Sequence, residues 1–208
     1  FNATYPGGAM LVADIDVTGK GLKTINNYTL SLEGRHYSIV GLTEPLFGEN
    51  TVATISNVKV SGNIVEENNG KVGIIARSLA AGGKVFNSKV SGSIEYKNPN
   101  VTASSDISLV NVGGAVGGVY GAEVSIVESD VDITISVAGP DGDTLYNPCF
   151  GGVVGYACAS GDSVPVVSEC TSSGDIVWDD ASANSKVTPF IGGVAGYVTA
   201  GTFADNAN

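Results

Sequence analysis

The sequence predicts an all-β protein, a parallel β-solenoid of about five coils. Three observations carry that prediction. β-branched residues dominate the apolar set, with 28 Val and 14 Ile against 9 Leu; such side chains pack well on a pleated surface and lose freedom in helices. Glycine supplies 29 of 208 residues while charged residues make up only 15%, so turns are plentiful and a large charged surface is not. Two short phrases also recur at nearly one step along the chain, which marks a repeat architecture.

The first phrase is clearest as "FGGVVGYA" at 150–157 and "IGGVAGYV" at 191–198, with weaker copies "VGGAVGGV" from Val112, "VGIIARS" from Val72 and "FGEN" from Phe47. Aligning Phe47, Val72, Val112, Phe150 and Ile191 gives steps of 25, 40, 38 and 41. The second phrase, "NVKVSGNI", "NSKVSGSI", "ESDVDITI" and "ECTSSGDI", ends at Ile64, Ile94, Ile135 and Ile176, with steps of 30, 41 and 41. Two phrases on nearly one step predict stacked units, equivalent residues lying about 4.8 Å apart. The five heads and the four isoleucines are each expected to form an inward column. Paired glycines suit tight corners or close passage of backbone. A β-sandwich would place turns every roughly 8–12 residues without repeating one phrase at one step.

Residues 1–46 carry no clear copy of the repeat. "MLVADIDVT" and "YTLSLEGRHYSIVGL" alternate in polarity and read as strands of a first coil and its cap. The reading is therefore one domain over 1–208, with repeats over 47–208 and the last one incomplete. Asp205 aligns with Glu169 and Asn206 with Cys170, so Gly174 and Ile176 have no counterparts. An open coil edge recruits strands; the expectation is either further repeats or lengthwise self-association through the C-terminal coil.

From each isoleucine to the next head the spans are 8, 18, 15 and 15 residues. "VEENNGK" is a bare crossing. The later spans, "YKNPNVTASSDISLVN", "SVAGPDGDTLYNPC" and "VWDDASANSKVTP", are expected to bulge as polar loops on one edge, where solenoids commonly bind ligands. Tyr96 and Trp178, the sole Trp, each sit two residues after an isoleucine, at the loop roots. With Asp179 and Asp180 they are the candidate ligand-binding residues, because an aromatic face can stack on a sugar. The competing reading is an aromatic ladder that shields the corner, and Val137 at the intervening place favours it.

The run "VADIDVTGKGLKTINNYTLSLEGRHYSIVGLTEPLFGENTVATISNVKVSGNI", with "GGVVGYA…SECTSSGDI" and "GGVAGYV", resembles GLUG-type repeat proteins over most of residues 12–208. The resemblance implies a right-handed parallel β-helix of a microbial surface protein, adhesin-like and mostly without known catalysis. The copies "GIIARS" and "GGAVGG" depart from the pattern by lacking its GY ending.

Net charge is −11, with ten Lys and Arg. A nucleic-acid partner needs a basic footprint and an anionic membrane would repel this chain, so neither is expected. No apolar run reaches the roughly 20 residues of a membrane span. The chain begins at Phe1, which reads as a removed signal or an internal start. Sequons at Asn2, Asn27 and Asn100 are glycosylation candidates. Three cysteines, at 149, 158 and 170, match no metal spacing and read as small buried side chains. Glu128, Glu169 and Asp205 align and invite a calcium reading, but two like charges about 4.8 Å apart in water repel by only about 0.9 kcal/mol, so an exposed column can carry them. "GPDGDT", with Asp141 and Asp143, reads as a turn. No metal and no cofactor are expected.

His36 is the sole histidine and reads as a surface imidazole. Arg35 and Arg77 are the only arginines, too few for a uronate lyase, and no carboxylate pair sits where one pKa would rise. The expectation is a structural or adhesive module, not an enzyme, extracellular or at a cell surface, with surface proteins, matrix proteins or glycans as partners. The alternatives are a glycan-binding module that uses the loop edge, or a carbohydrate-active enzyme.

Overall fold

The structure, a computed structural model, describes residues 7–97, 110–121, 123–138, 147–159, 164–179 and 188–208. The chain is all-β. Among the described residues there are strands and no helix, so none long and apolar enough to cross a membrane. Every strand pairing is parallel, and the strands form four sheets.

Each of the later repeats gives one segment to each sheet. Sheet 1 holds Lys84–Phe86, Ser125–Val127, Val166–Ser168 and Thr202–Ala204. Sheet 2 holds Lys59–Glu66, Lys89–Tyr96 and Asp130–Ala138, then Thr171–Ser173 and Ile176–Asp179. Sheet 3 holds Lys71–Val72, Asn111–Gly113, Cys149–Gly151 and Phe190–Gly192. Sheet 4 holds Ala76–Leu79, Val116–Tyr120, Val154–Cys158 and Ala195–Val198. Earlier in the chain, Gly8–Met10, Ser31–Glu33 and Thr54–Ser56 extend sheet 1, while Ile15–Asp16 and Ser38–Leu42 extend sheet 2.

The isoleucine column stands as the sequence implied. Ile64 pairs with Ile94, Ile94 with Ile135 and Ile135 with Ile176, and the first three are buried. In the head column Val72, Val112, Phe150 and Ile191 pair in order. Phe47 is a correction, because it bridges Ala76 of sheet 4 instead of Val72. The chain reaches it after Ser38–Leu42 of sheet 2 without first adding a sheet 3 strand. Its buried ring stacks on Tyr28, centroids 4.6 Å apart.

The repeated glycines have a steric cause. Sheets 3 and 4 meet backbone to backbone. A Cβ on Gly155 would stand 2.6 Å from the Val112 nitrogen, and one on Gly196 would stand 2.5 Å from the Phe150 nitrogen. No side chain larger than hydrogen fits such an approach. The missing GY ending of the third copy also resolves. Gly118 pairs with Tyr156 in register, and the Tyr120 ring folds back over Gly118, where a Cβ would meet it at 2.6 Å. Tyr120, Tyr156 and Tyr197 then form an aromatic row with centroids 5.7 and 6.0 Å apart.

The corner between sheets 1 and 2 explains the acidic column. Asn57, Asn87, Glu128, Glu169 and Asp205 occupy it, all with φ between 43° and 54°. Asparagine tolerates this left-handed geometry best, and Asn87 Nδ2 donates to Asn57 Oδ1 at 2.7 Å. The carboxylates sit in the same turn in later copies.

Candidate functional site

The column at the loop roots reads Glu66, Tyr96, Val137, Trp178 in register. The structure brings Tyr96 and Trp178 into one column and turns that column inward. Tyr96 is 1% exposed and offers no open ring face. Trp178 is half-buried and packs on Phe150, centroids 5.6 Å apart. The Asp179 backbone pairs with Ala138. Asp180, Asn2 and Asn100 lie outside the described residues, as do Asp141, Asp143 and most of the three long loops. Asn27 is exposed, with φ of 57°. His36 is exposed in the turn after Ser31–Glu33.

Glu66 is the anomaly of the column, a carboxylate where its neighbours are apolar or aromatic. Its side chain is 5% exposed and pairs with Arg77, 12% exposed, at 2.5 Å. The bare crossing "VEENNGK" turns around that carboxylate. The Asn68 and Asn69 amides donate to Oε1 at 3.0 and 2.9 Å, and Asn69 Nδ2 adds a third bond at 3.1 Å. Burial pushes the Glu66 carboxyl up, but the Asn68 amide and Arg77 outweigh it and hold it below its ordinary value. Arg77 Nη1 also donates to the Lys71 carbonyl at 2.9 Å, satisfying an acceptor on the open edge strand of sheet 3. Lys71 reaches Glu49 at 3.1 Å and lies 4.9 Å from the centre of the Tyr120 ring.

Beside this pair lies an open polar groove of about 670 Å³, lined by Asn26, Asn27, Glu49, Asn50, Asn69 and Arg77, with Thr24 and Glu44. Glu44 is held by Lys23 at 2.5 Å and by Thr24. The volume is in the range of small-molecule sites. A second hollow, about 420 Å³, lies on the outer face of sheet 2 among Lys59, Lys89, Ser61, Ser91, Asp130 and Asp132. Side chains there are tied across strands: Lys89 to Asp130 at 3.0 Å, Thr171 to Asp130 at 2.7 Å and Ser173 to Asp132 at 3.1 Å.

Sequence reasoning missed the Glu66–Arg77 pair, although a signal existed. Arg77 stands in register with Gly117, Gly155 and Gly196, and Glu66 with Tyr96 and Trp178. Two charged residues, each breaking an apolar or glycine column, eleven apart, are what a buried pair at a sheet edge leaves in a sequence. Cys149 and Cys170 are buried, and burial pushes the Cys149 thiol up to about 12, which leaves it unreactive at neutral pH.

No family model matches the chain. The chain is similar to the immunoglobulin A1 protease of Streptococcus sanguinis, 30% identical over 189 residues. The alignment covers 81% of this chain and 9% of that protein. This finding corrects one expectation. The chain was expected to stand outside the enzymes, and the curated protein it matches is named for a protease. The chain spans less than a tenth of the length of the curated protein it matches.

Proposed function

We propose that residues 1–208 form one right-handed parallel β-helix of GLUG type, an adhesive scaffold within a much larger extracellular protein. The observation that carries this reading is the register: four successive repeats pair in each of the four parallel sheets. Each repeat would bury its apolar edge only against its neighbours, as a solenoid does. The match to an immunoglobulin A1 protease supports an extracellular or cell-surface setting, since immunoglobulin A1 is a secreted antibody. It also supports a parent protein that is a peptidase. In our reading this module makes contacts to surface proteins, matrix proteins or glycans. The acidic balance of the chain argues against nucleic acid or an anionic membrane as partner.

Two measurements test the reading. Small-angle scattering from residues 1–208 should give a rod of constant cross-section, and a sphere would overturn the β-helix. Beads carrying the module should adhere to mucin- or matrix-coated surfaces more than beads carrying a globular protein of equal charge. Equal retention of both would overturn the adhesive role.

A further inference from the structure

The groove beside Arg77 holds an unusual resource. Arg77 is 12% exposed, yet among the described residues it donates only through Nη1, to Glu66 and to the Lys71 carbonyl. Its Nε–H and both Nη2–H are left over. That edge of a guanidinium is the fork that grips a planar carboxylate with two parallel hydrogen bonds. The fork is fixed in place, because Glu66 and Lys71 hold the other end of the group.

The rest of the lining fits a hydroxyl-rich body attached to that carboxylate. Asn26, Asn27, Asn50 and Asn69 line the groove; Asn69 Nδ2 already gives one hydrogen to Glu66 and Asn26 Nδ2 one to the Thr24 carbonyl, and the remaining donors and acceptors supply the pairing that sugar hydroxyls need. The two acidic residues do not spoil the site for an anion, since Glu44 is neutralised by Lys23 and Glu49 by Lys71. Asn27 and Asn50, with φ of 57° and 54°, hold their turns through backbone conformation, and among the described residues the Asn50 bond to Ser78 is made by its backbone amide, not its side chain. We infer that the groove between Arg77 and Asn26, Asn27, Asn50 and Asn69 binds a carboxylate-bearing sugar, its carboxylate on the spare fork of Arg77. The inference rests on the adhesive reading only for the setting in which such a glycan is met.

The test uses residues 1–208 at low ionic strength, with sialyllactose and a glucuronate oligosaccharide as probes and lactose as the neutral control, followed by calorimetry and amide NMR. At least one acidic sugar should bind saturably, at least tenfold tighter than lactose. Arg77→Lys keeps the ion pair to Glu66 but removes the fork, and should weaken binding tenfold or more. Asn50→Asp adds a repelling charge while keeping a residue that tolerates left-handed backbone, and should weaken binding several-fold with an unchanged melting temperature. Absence of binding by both acidic sugars, equal binding of lactose, or full binding by the two variants would overturn the proposal. An Asp/Glu-rich peptide that binds in an Arg77-dependent manner while no sugar does would overturn the sugar assignment. Adhesion of the module with no acidic-sugar binding by the native protein would overturn the groove and leave the adhesive reading intact, whereas Arg77-dependent sugar binding without adhesion would support the groove and overturn that reading.

Discussion

Position 77 and positions 117, 155 and 196 are the same place in successive repeats, yet the first holds arginine and the others glycine. The difference lies in what the preceding repeat contributes. Gly117, Gly155 and Gly196 each face the backbone of a sheet 3 strand one repeat earlier, at 2.5 to 2.7 Å from an ideal Cβ to its nitrogen. Arg77 faces no such strand, because sheet 3 begins with Lys71–Val72 in its own repeat. The space that forbids a methyl group in three repeats holds a whole guanidinium in the fourth. Glycine here records a neighbour, and its replacement records where a sheet ends.

Moving arginine into a glycine repeat gives the largest effect. Gly155→Arg would drive a side chain into the Val112 and Gly117 backbone, and should remove the cooperative melt seen by circular dichroism, a loss of more than about 4 kcal/mol. A wild-type melt for that variant would mean that sheets 3 and 4 do not pack as described. Next comes the pair itself. Glu66→Gln leaves Arg77 buried and uncompensated, which should cost about 3–5 kcal/mol; the double variant Glu66→Leu/Arg77→Leu should recover most of that in denaturant titration. No recovery would argue that the two residues act separately.

A buried and an exposed isoleucine give a reference. Ile135→Ala should cost about 2–5 kcal/mol by leaving a cavity, whereas Ile191→Ala, in the last repeat where that side chain is 49% exposed, should cost under 1 kcal/mol. Equal losses would contradict the register. The smallest effect is with pH. The Glu66 carboxyl is held below its ordinary value of 4.5 in the folded chain, so its contribution is fully present above about pH 5 and fades as pH falls through the folded pKa. The native protein should lose stability below pH 4.5 more steeply than the Glu66→Leu/Arg77→Leu variant, and parallel pH profiles would remove Glu66 from the explanation.

Much of the fold was legible where one residue type recurs. Ile64, Ile94, Ile135 and Ile176 pair as aligned, and so do Val72 through Ile191, because a buried column tolerates little chemical change. Cys170 and Asn206 also meet as aligned: the Asn206 side chain accepts from the Cys170 amide at 2.9 Å, and Ala207 bridges Thr171. Phe47 was misplaced because an aromatic head looks alike whether or not a sheet 3 strand accompanies it. The row of Tyr120, Tyr156 and Tyr197 was hidden by a two-residue offset that only side-chain direction resolves. Tyr96 and Trp178 share one register column with Val137, but no rule of spacing says which face of a strand looks inward once a loop follows it. The groove lay outside the reading because its residues come from four separated segments, Thr24–Asn27, Glu44, Glu49–Asn50 and Asn69–Arg77, which only the stacked strands bring together.

The parallel ladders have a mechanical consequence. Every backbone bond between repeats points along the stacking direction, so a force that separates the two ends loads the bonds of one interface at a time, like a zip opened tooth by tooth. Repeats with the fewest paired strands yield first and at low force. A repeat of 41 residues, such as Phe150 to Ile191, then releases about 140 Å of slack. In flowing fluid such a chain would lengthen in steps and dissipate load before any contact at its far end is strained.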